Sequence, residues 1–161
     1  MLAIGCATAN VRPNAIFQGQ HAYVYGRFTI AGQSMAFIIK CRDGSTYKIS
    51  FVAQDEVQMI ELVPSVCQVD EVQYGAAGGP TGLAGFRLLQ NEFLDPGGVY
   101  YVGDFNASGT YDVAYKVFYN EIHSTWRVKH ARNNYERTTA EMRRTFPGFA
   151  SVVTQNRIAH W

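Results

Sequence analysis

Alternation of apolar and polar positions dominates this chain. Within His21–Ile30, Ala22, Val24, Phe28 and Ile30 share one side, and Tyr23, Tyr25, Arg27 and Thr29 share the other. A period of two marks a half-buried strand. Gly26 inside it predicts a bulge or a close backbone approach. Met35–Cys41 is apolar nearly throughout and reads as a central strand. Arg42-Asp43-Gly44-Ser45 is the strongest hairpin signal, because Asp-Gly tolerates the positive φ angles of a tight turn. Thr46–Val52 is the returning strand, with Tyr47, Ile49 and Phe51 inward. Val57–Val63, Val66–Tyr74 and Phe86–Phe93 are three further strands.

The chain is organised around Gly97–Tyr119. Two runs rich in Val, Tyr and Phe flank Asn106-Ala107-Ser108-Gly109, which predicts two strands joined by a tight polar loop. Trp126-Arg127-Val128 ends the sheet. The period then lengthens. Asn133 or Asn134 can cap a helix over about residues 134–146, in which Tyr135, Met142 and Phe146 recur near helical spacing. Pro147 stops it, because its ring disfavours a helical residue before it. Ser151-Val152-Val153 adds an edge strand. The expectation is a mainly β protein: an antiparallel β-sandwich of about 7–9 strands with one C-terminal α-helix. A small barrel is the alternative. Residues 1–20 lack periodicity and read as an N-terminal linker, with a single domain over 21–161.

Composition agrees with one sheet-rich domain. Among 161 residues, 47% are hydrophobic, 17% charged and 14% aromatic, which argues against global disorder and toward strands. The net charge of +1 gives no overall attraction to nucleic acid. The C-terminal part is locally basic, with seven Arg or Lys against two acidic residues between Arg127 and Arg157. Arg132, Arg137, Arg143 and Arg144 could serve as a surface for anionic lipid, nucleic acid or an acidic partner; the alternative is a solvated helix face. No run of 18 apolar residues is long enough to span a membrane.

Candidate chemistry is sparse. His21, His123, His130 and His160 lack the spacing that places two metal ligands on one helical face, so no metal or cofactor is expected. A small enzyme with a His/acid site near His123 and His130, using Asp112 or Glu121, is a secondary reading. No Gly-x-Ser-x-Gly elbow is present. The glycine-rich run Gly75–Gly85 lacks the Lys-Ser/Thr ending or following helix of a phosphate loop and reads as an inter-strand loop. No catalytic residue is assigned. Tyr23, Tyr25 and the neighbouring Arg27 could form an outward aromatic binding face; the alternative is that they pack under the helix.

Two resemblances add function. Met1-Leu2-Ala3-Ile4-Gly5-Cys6 resembles the end of a bacterial lipoprotein signal peptide, in which a short apolar run ends in Gly or Ala before a Cys that carries the lipid. That resemblance implies lipidation at Cys6. With Ala7 in place of an Asp after the Cys, it also implies the outer membrane, periplasmic side. Cys41 and Cys67 then remain as candidates for a disulfide in an oxidising periplasm, worth about 3 kcal/mol by chain entropy; two buried free thiols are the alternative. Pro96-Gly97-Gly98-Val99-Tyr100-Tyr101 resembles the segment that introduces a core strand in small envelope lipoproteins with a transthyretin-like or carboxypeptidase-regulatory-like β-sandwich. Together these imply a non-enzymatic envelope lipoprotein domain, membrane-bound through its lipid, that binds or scaffolds an envelope protein or polymer.

Overall fold

The computed structural model describes residues 7–8, 10–32, 35–51, 55–74, 81–83, 93–118 and 120–157. It is a mainly β molecule with two sheets and one C-terminal α-helix. The first sheet contains β1 (Ala7–Thr8), β4 (Thr46–Phe51), β3 (Met35–Cys41), β6 (Cys67–Tyr74) and β7 (Thr81–Leu83), in that spatial order. The second runs β10 (Gln155–Asn156), β8 (Val99–Tyr115), β2 (Ala22–Gly32), β5 (Glu56–Leu62), and β9 (Asn120–Arg132) also pairs with β8. The helix, α1, spans Tyr135–Thr145. Phe93 forms an isolated bridge with Val66, and the rest of the strand expected over Phe86–Phe93 lies outside the described residues.

Most ladders are antiparallel, but the central one between β2 and β8 is parallel, as are the short edge ladders β1–β4 and β10–β8. The stretch around Gly97–Tyr119 is also not a hairpin about Asn106–Gly109. β8 runs straight through those four residues, because Asn106, Ala107, Ser108 and Gly109 pair with Thr29, Ile30, Ala31 and Gly32 of β2. A neighbouring strand satisfies their backbone groups and so overrides their turn preference. The reversal comes later, after Tyr115, and β9 returns from Asn120 as far as Arg132, beyond the expected end of the sheet. Thr81–Leu83, inside the glycine-rich run, also pairs as β7. The last strand is Gln155–Asn156 and not Ser151–Val153.

Turn chemistry explains several reversals. Gly44 has φ 87° and closes the β3–β4 hairpin, while the Asp43 carboxylate accepts from the Ser45 amide at 3.0 Å. Asp95-Pro96-Gly97-Gly98 leads into β8 with Pro second and Gly97 third at φ 72°, and the Gly98 amide donates to the Asp95 carbonyl at 3.0 Å. At the bases of β3 and β6, Cys41 and Cys67 face each other in register, 4.0 Å apart at Cα, and are joined as a disulfide.

From Ala22 to Tyr25 on β2 and from Val99 to Val102 on β8 the second sheet is buried on both faces. On one, Tyr23, Tyr25, Val57, Met59, Val99 and Tyr101 pack beneath Met142, Phe146 and Phe149. On the other, Ala22, Val24, Ile60, Leu62, Tyr100 and Val102 are buried on the side of the first sheet, where the Val63 amide donates to the Tyr47 hydroxyl at 3.1 Å. Each large side chain buried this way contributes on the order of 1.5–3 kcal/mol. Thr138, Met142 and Phe146 recur every fourth residue on the buried side of the chain from α1 into its C-cap.

Residues 10–18 are not a linker. Asn10 bridges to Ile60, and the Val11 amide donates to the Met59 carbonyl at 2.8 Å. β1 pairs with β4, so this N-terminal strap crosses from the edge of one sheet to the edge of the other. It ends with the Phe17 ring tilted against Tyr23, 5.6 Å between centroids, and edge-on to Phe149 at 5.7 Å. The passage is tight at Gly148, where a β-carbon would collide with the Ala15 carbonyl oxygen. Gly148→Ala is therefore expected to displace the strap and destabilise the fold by roughly 1–3 kcal/mol. The midpoint of urea unfolding checks this, and an unchanged midpoint would contradict the close approach.

Candidate functional site

Three neighbouring strands change character at one level. On the helix side of the second sheet, β2 presents Tyr23 and Tyr25, then Arg27 and Thr29. β8 presents Val99 and Tyr101, then Asp104 and Asn106, paired with those same β2 positions. β5 presents Met59 and Val57, and Asp55 lies one step before it. Apolar residues occupy the half of the face that α1 covers. Polar residues take over where the helix begins.

A bulge makes this alignment. Between the pairs Tyr25–Tyr101 and Arg27–Asp104, β2 contributes Gly26 while β8 contributes Val102 and Gly103. Gly103 has φ 118°, a conformation that L side chains rarely adopt. The extra residue reverses the facing of everything after it. Without it Asp104 would point toward the sheet's other side. The irregularity expected inside β2 at Gly26 lies instead on the opposite strand: Gly26 pairs regularly with Gln58 of β5, and β8 carries the extra residue.

Asp104 gathers donors from the sheet and the helix. Its oxygens accept from the Tyr101 hydroxyl at 3.0 Å, the Thr138 hydroxyl at 3.0 and 3.1 Å, and the Asn134 side-chain amide at 2.9 Å. The Tyr101 hydroxyl accepts in turn from the Asn134 backbone amide at 3.1 Å. Burial, reinforced by the Asp104 charge, raises the Tyr101 pKa well above the ordinary phenol value, so the ring keeps its proton to donate. Asn134 precedes the helix but caps it with no side-chain bond; its amide is committed to Asp104.

Arg27 forms the second knot. Its guanidinium bonds the Asp55 carboxylate at 3.0 Å, the Asp55 carbonyl at 3.0 Å and the Glu141 carboxylate of α1. Burial disfavours its charge, but the Asp55 hydrogen bond and the two carboxylates outweigh that and raise its pKa. Hydrogen bonds from Arg27 and then Thr29, whose hydroxyl lies 2.8 Å away, hold the Asp55 carboxyl below the usual carboxylate range.

Between these knots lies an open cleft of about 220 Å³, lined by Arg27, Thr29, Asp55, Asp104, Phe105, Asn106, Asn134 and Arg137. Strands supply its floor, and the first turn of α1 supplies a wall. Among the described residues no group of three His, Cys, Asp or Glu is placed to hold a metal ion.

The residues singled out by sequence are dispersed. Tyr23 and Tyr25 are fully buried beneath the helix and offer no outward face, because α1 and the strap cover that half of the sheet. The Tyr25 hydroxyl is bonded to Thr139 at 2.5 Å. Arg27 reaches the cleft as an ion-paired group. Arg137 lines the cleft, and Arg143 and Arg144 sit exposed in the last helical turn, where cations complement the helix dipole. Arg132 lies at the end of β9, opposite Asp104 in the ladder. His123 pairs in register with Asp112, while His130 falls in the irregularity of that ladder, about 23 Å away along β9. Cys6 and His160 lie outside the described residues.

Comparison with protein-family models, with curated proteins and with solved structures finds no match for this chain. The site therefore rests on its own geometry.

Two outcomes follow. Asp104→Ala strands three donors at the helix–sheet junction and is expected to cost about 2–4 kcal/mol, counting 1–3 kcal/mol for each donor left dry and less for those that reach water. Urea unfolding followed at the helix signal checks it; a loss below 0.5 kcal/mol, on the order of an exposed site, would refute the junction. For Asp55 the folded pKa lies below the unfolded value of about 4. Its contribution is complete above that value and fades as pH falls through the folded one. Asp55→Asn should flatten the stability–pH curve below about pH 4. Parallel curves for variant and parent would refute the coupling.

Proposed function

We propose that this chain is a non-enzymatic domain of a bacterial cell envelope, lipid-anchored at Cys6 on the periplasmic side of the outer membrane, that binds or scaffolds another envelope component. The observation that carries this reading is the Cys41–Cys67 disulfide, buried at the base of two paired strands. Such bonds persist in oxidising compartments and are rare where thiols are kept reduced. The lipoprotein-like residues before Cys6 supply the same compartment from separate information.

The cleft supports binding over catalysis. A general acid or base works best with a pKa near the operating pH. Asp55 is shifted away from it, downward. Asp104 already accepts from three side chains, and Arg27 is held by two carboxylates. These groups are arranged to hold one another. No helix among the described residues is long and apolar enough to cross a membrane, so the proposed attachment is the acyl chain. Ala7 and Thr8 already pair with Tyr47 and Lys48. An acyl group on Cys6 would therefore hold the edge of the first sheet close to the bilayer with almost no spacer.

Expression with a complete leader in a bacterial host tests the reading. Intact mass should show diacylglyceryl and acyl additions at Cys6, and Cys6→Ser should move the protein from the membrane to the soluble periplasmic fraction. Unmodified, soluble parent protein would exclude the anchor.

A further inference from the structure

We propose that the cleft beside the helix N-terminus is a binding site for a neutral, polyhydroxylated carbohydrate chain; this deepens the envelope-binding reading and rests on it. Two cations, Arg27 and Arg137, face two carboxylates, Asp55 and Asp104, so the described lining has no net charge to attract an anion. Arg27 is moreover bonded to Asp55 and Glu141. A phosphate would have to compete with carboxylates already in place. A cation meets the opposite difficulty, because both carboxylates are engaged by donors. An apolar ligand would strip water from this polar floor without replacing its hydrogen bonds.

Sugar hydroxyls avoid each of these costs, since a hydroxyl donates and accepts at once. Asn106 is exposed on the floor and Arg137 on the wall, and neither side chain makes a hydrogen bond among the described residues. Asp55 keeps 63% of its side chain exposed beside them. The site thus presents amide, guanidinium and carboxylate groups, all planar and able to bond two neighbouring hydroxyls. The surroundings are rigid. Floor positions lie on paired strands, the bulge at Gly103 fixes their facing, and the wall is tied down through Asn134 and Thr138. Prepositioned polar groups lose little entropy on binding. The openness of the cleft suits a chain passing across it more than an enclosed monomer.

The test uses the full 161-residue chain, labelled with nitrogen-15 and with Cys6→Ser to keep it soluble. Chitotetraose, maltotetraose and inorganic phosphate are titrated separately. The expected result is that at least one tetrasaccharide shifts the amides of Thr29, Asn106 and Arg137 with a Kd on the order of 1 mM or tighter, and that phosphate does not. Asn106→Ala with Arg137→Ala should weaken that binding roughly tenfold without moving the thermal midpoint, because neither residue holds the fold. If neither sugar shifts these amides, if the shifts map elsewhere, or if phosphate binds more tightly, the proposal is overturned. Such a failure would leave the lipid anchor untouched, since that is read from the mass at Cys6.

Discussion

The carboxylate of Asp104 is the point at which the helix is fixed to the sheet. It takes one hydroxyl from its own strand, one from α1 and an amide from the residue that starts α1. Removing a charged, half-buried acceptor from such a knot costs more than its hydrogen bonds contribute net, because the donors left behind lose water without gaining a partner. The position of the helix, the shape of the cleft and the burial of the aromatic layer all follow from this junction. It exists only because Gly103 adds one residue to β8 and turns Asp104 toward the helix.

The same face of the sheet does two jobs, divided by level. Where α1 and the strap cover it, Tyr23, Tyr25 and Tyr101 are buried and their hydroxyls are tied to neighbours. Where the cover stops, Arg27, Thr29, Asp104 and Asn106 remain half-buried or open beside the cleft. A polar surface placed directly beside a packed layer inherits its rigidity. The strap extends that layer and links the edges of both sheets, so Ala7, Thr8 and the chain from Asn10 onward are part of the folded body.

Much of the architecture was legible in the residues. Strand period, the Asp-Gly hairpin, the helix around Met142 and its stop at Pro147 depend on local chemistry, which a sequence displays directly. The continuous β8 was not legible. Asn106-Ala107-Ser108-Gly109 has every local mark of a turn, yet β2, lying far away in sequence, supplies its hydrogen-bond partners. The strap leaves no local mark for a similar reason: Val11, Ala15 and Phe17 have no period, and each finds a different neighbour. In the cleft, the switch from Tyr25 to Arg27 and Thr29 could be read on β2. Its counterpart on β8 was hidden, since the bulge breaks the alternation that would have placed Asp104 and Asn106 on the same side.

By itself the sequence determined which segments extend, which one coils and where glycine permits reversal, because those preferences act over a few bonds. It also supplied the cysteine pair, though not the pairing. Tertiary structure alone decided that β2 and β8 lie parallel, that Cys41 meets Cys67, and that polar residues from three strands share one level. Those outcomes depend on register between distant segments, and register is set by how whole faces pack, which no local pattern contains.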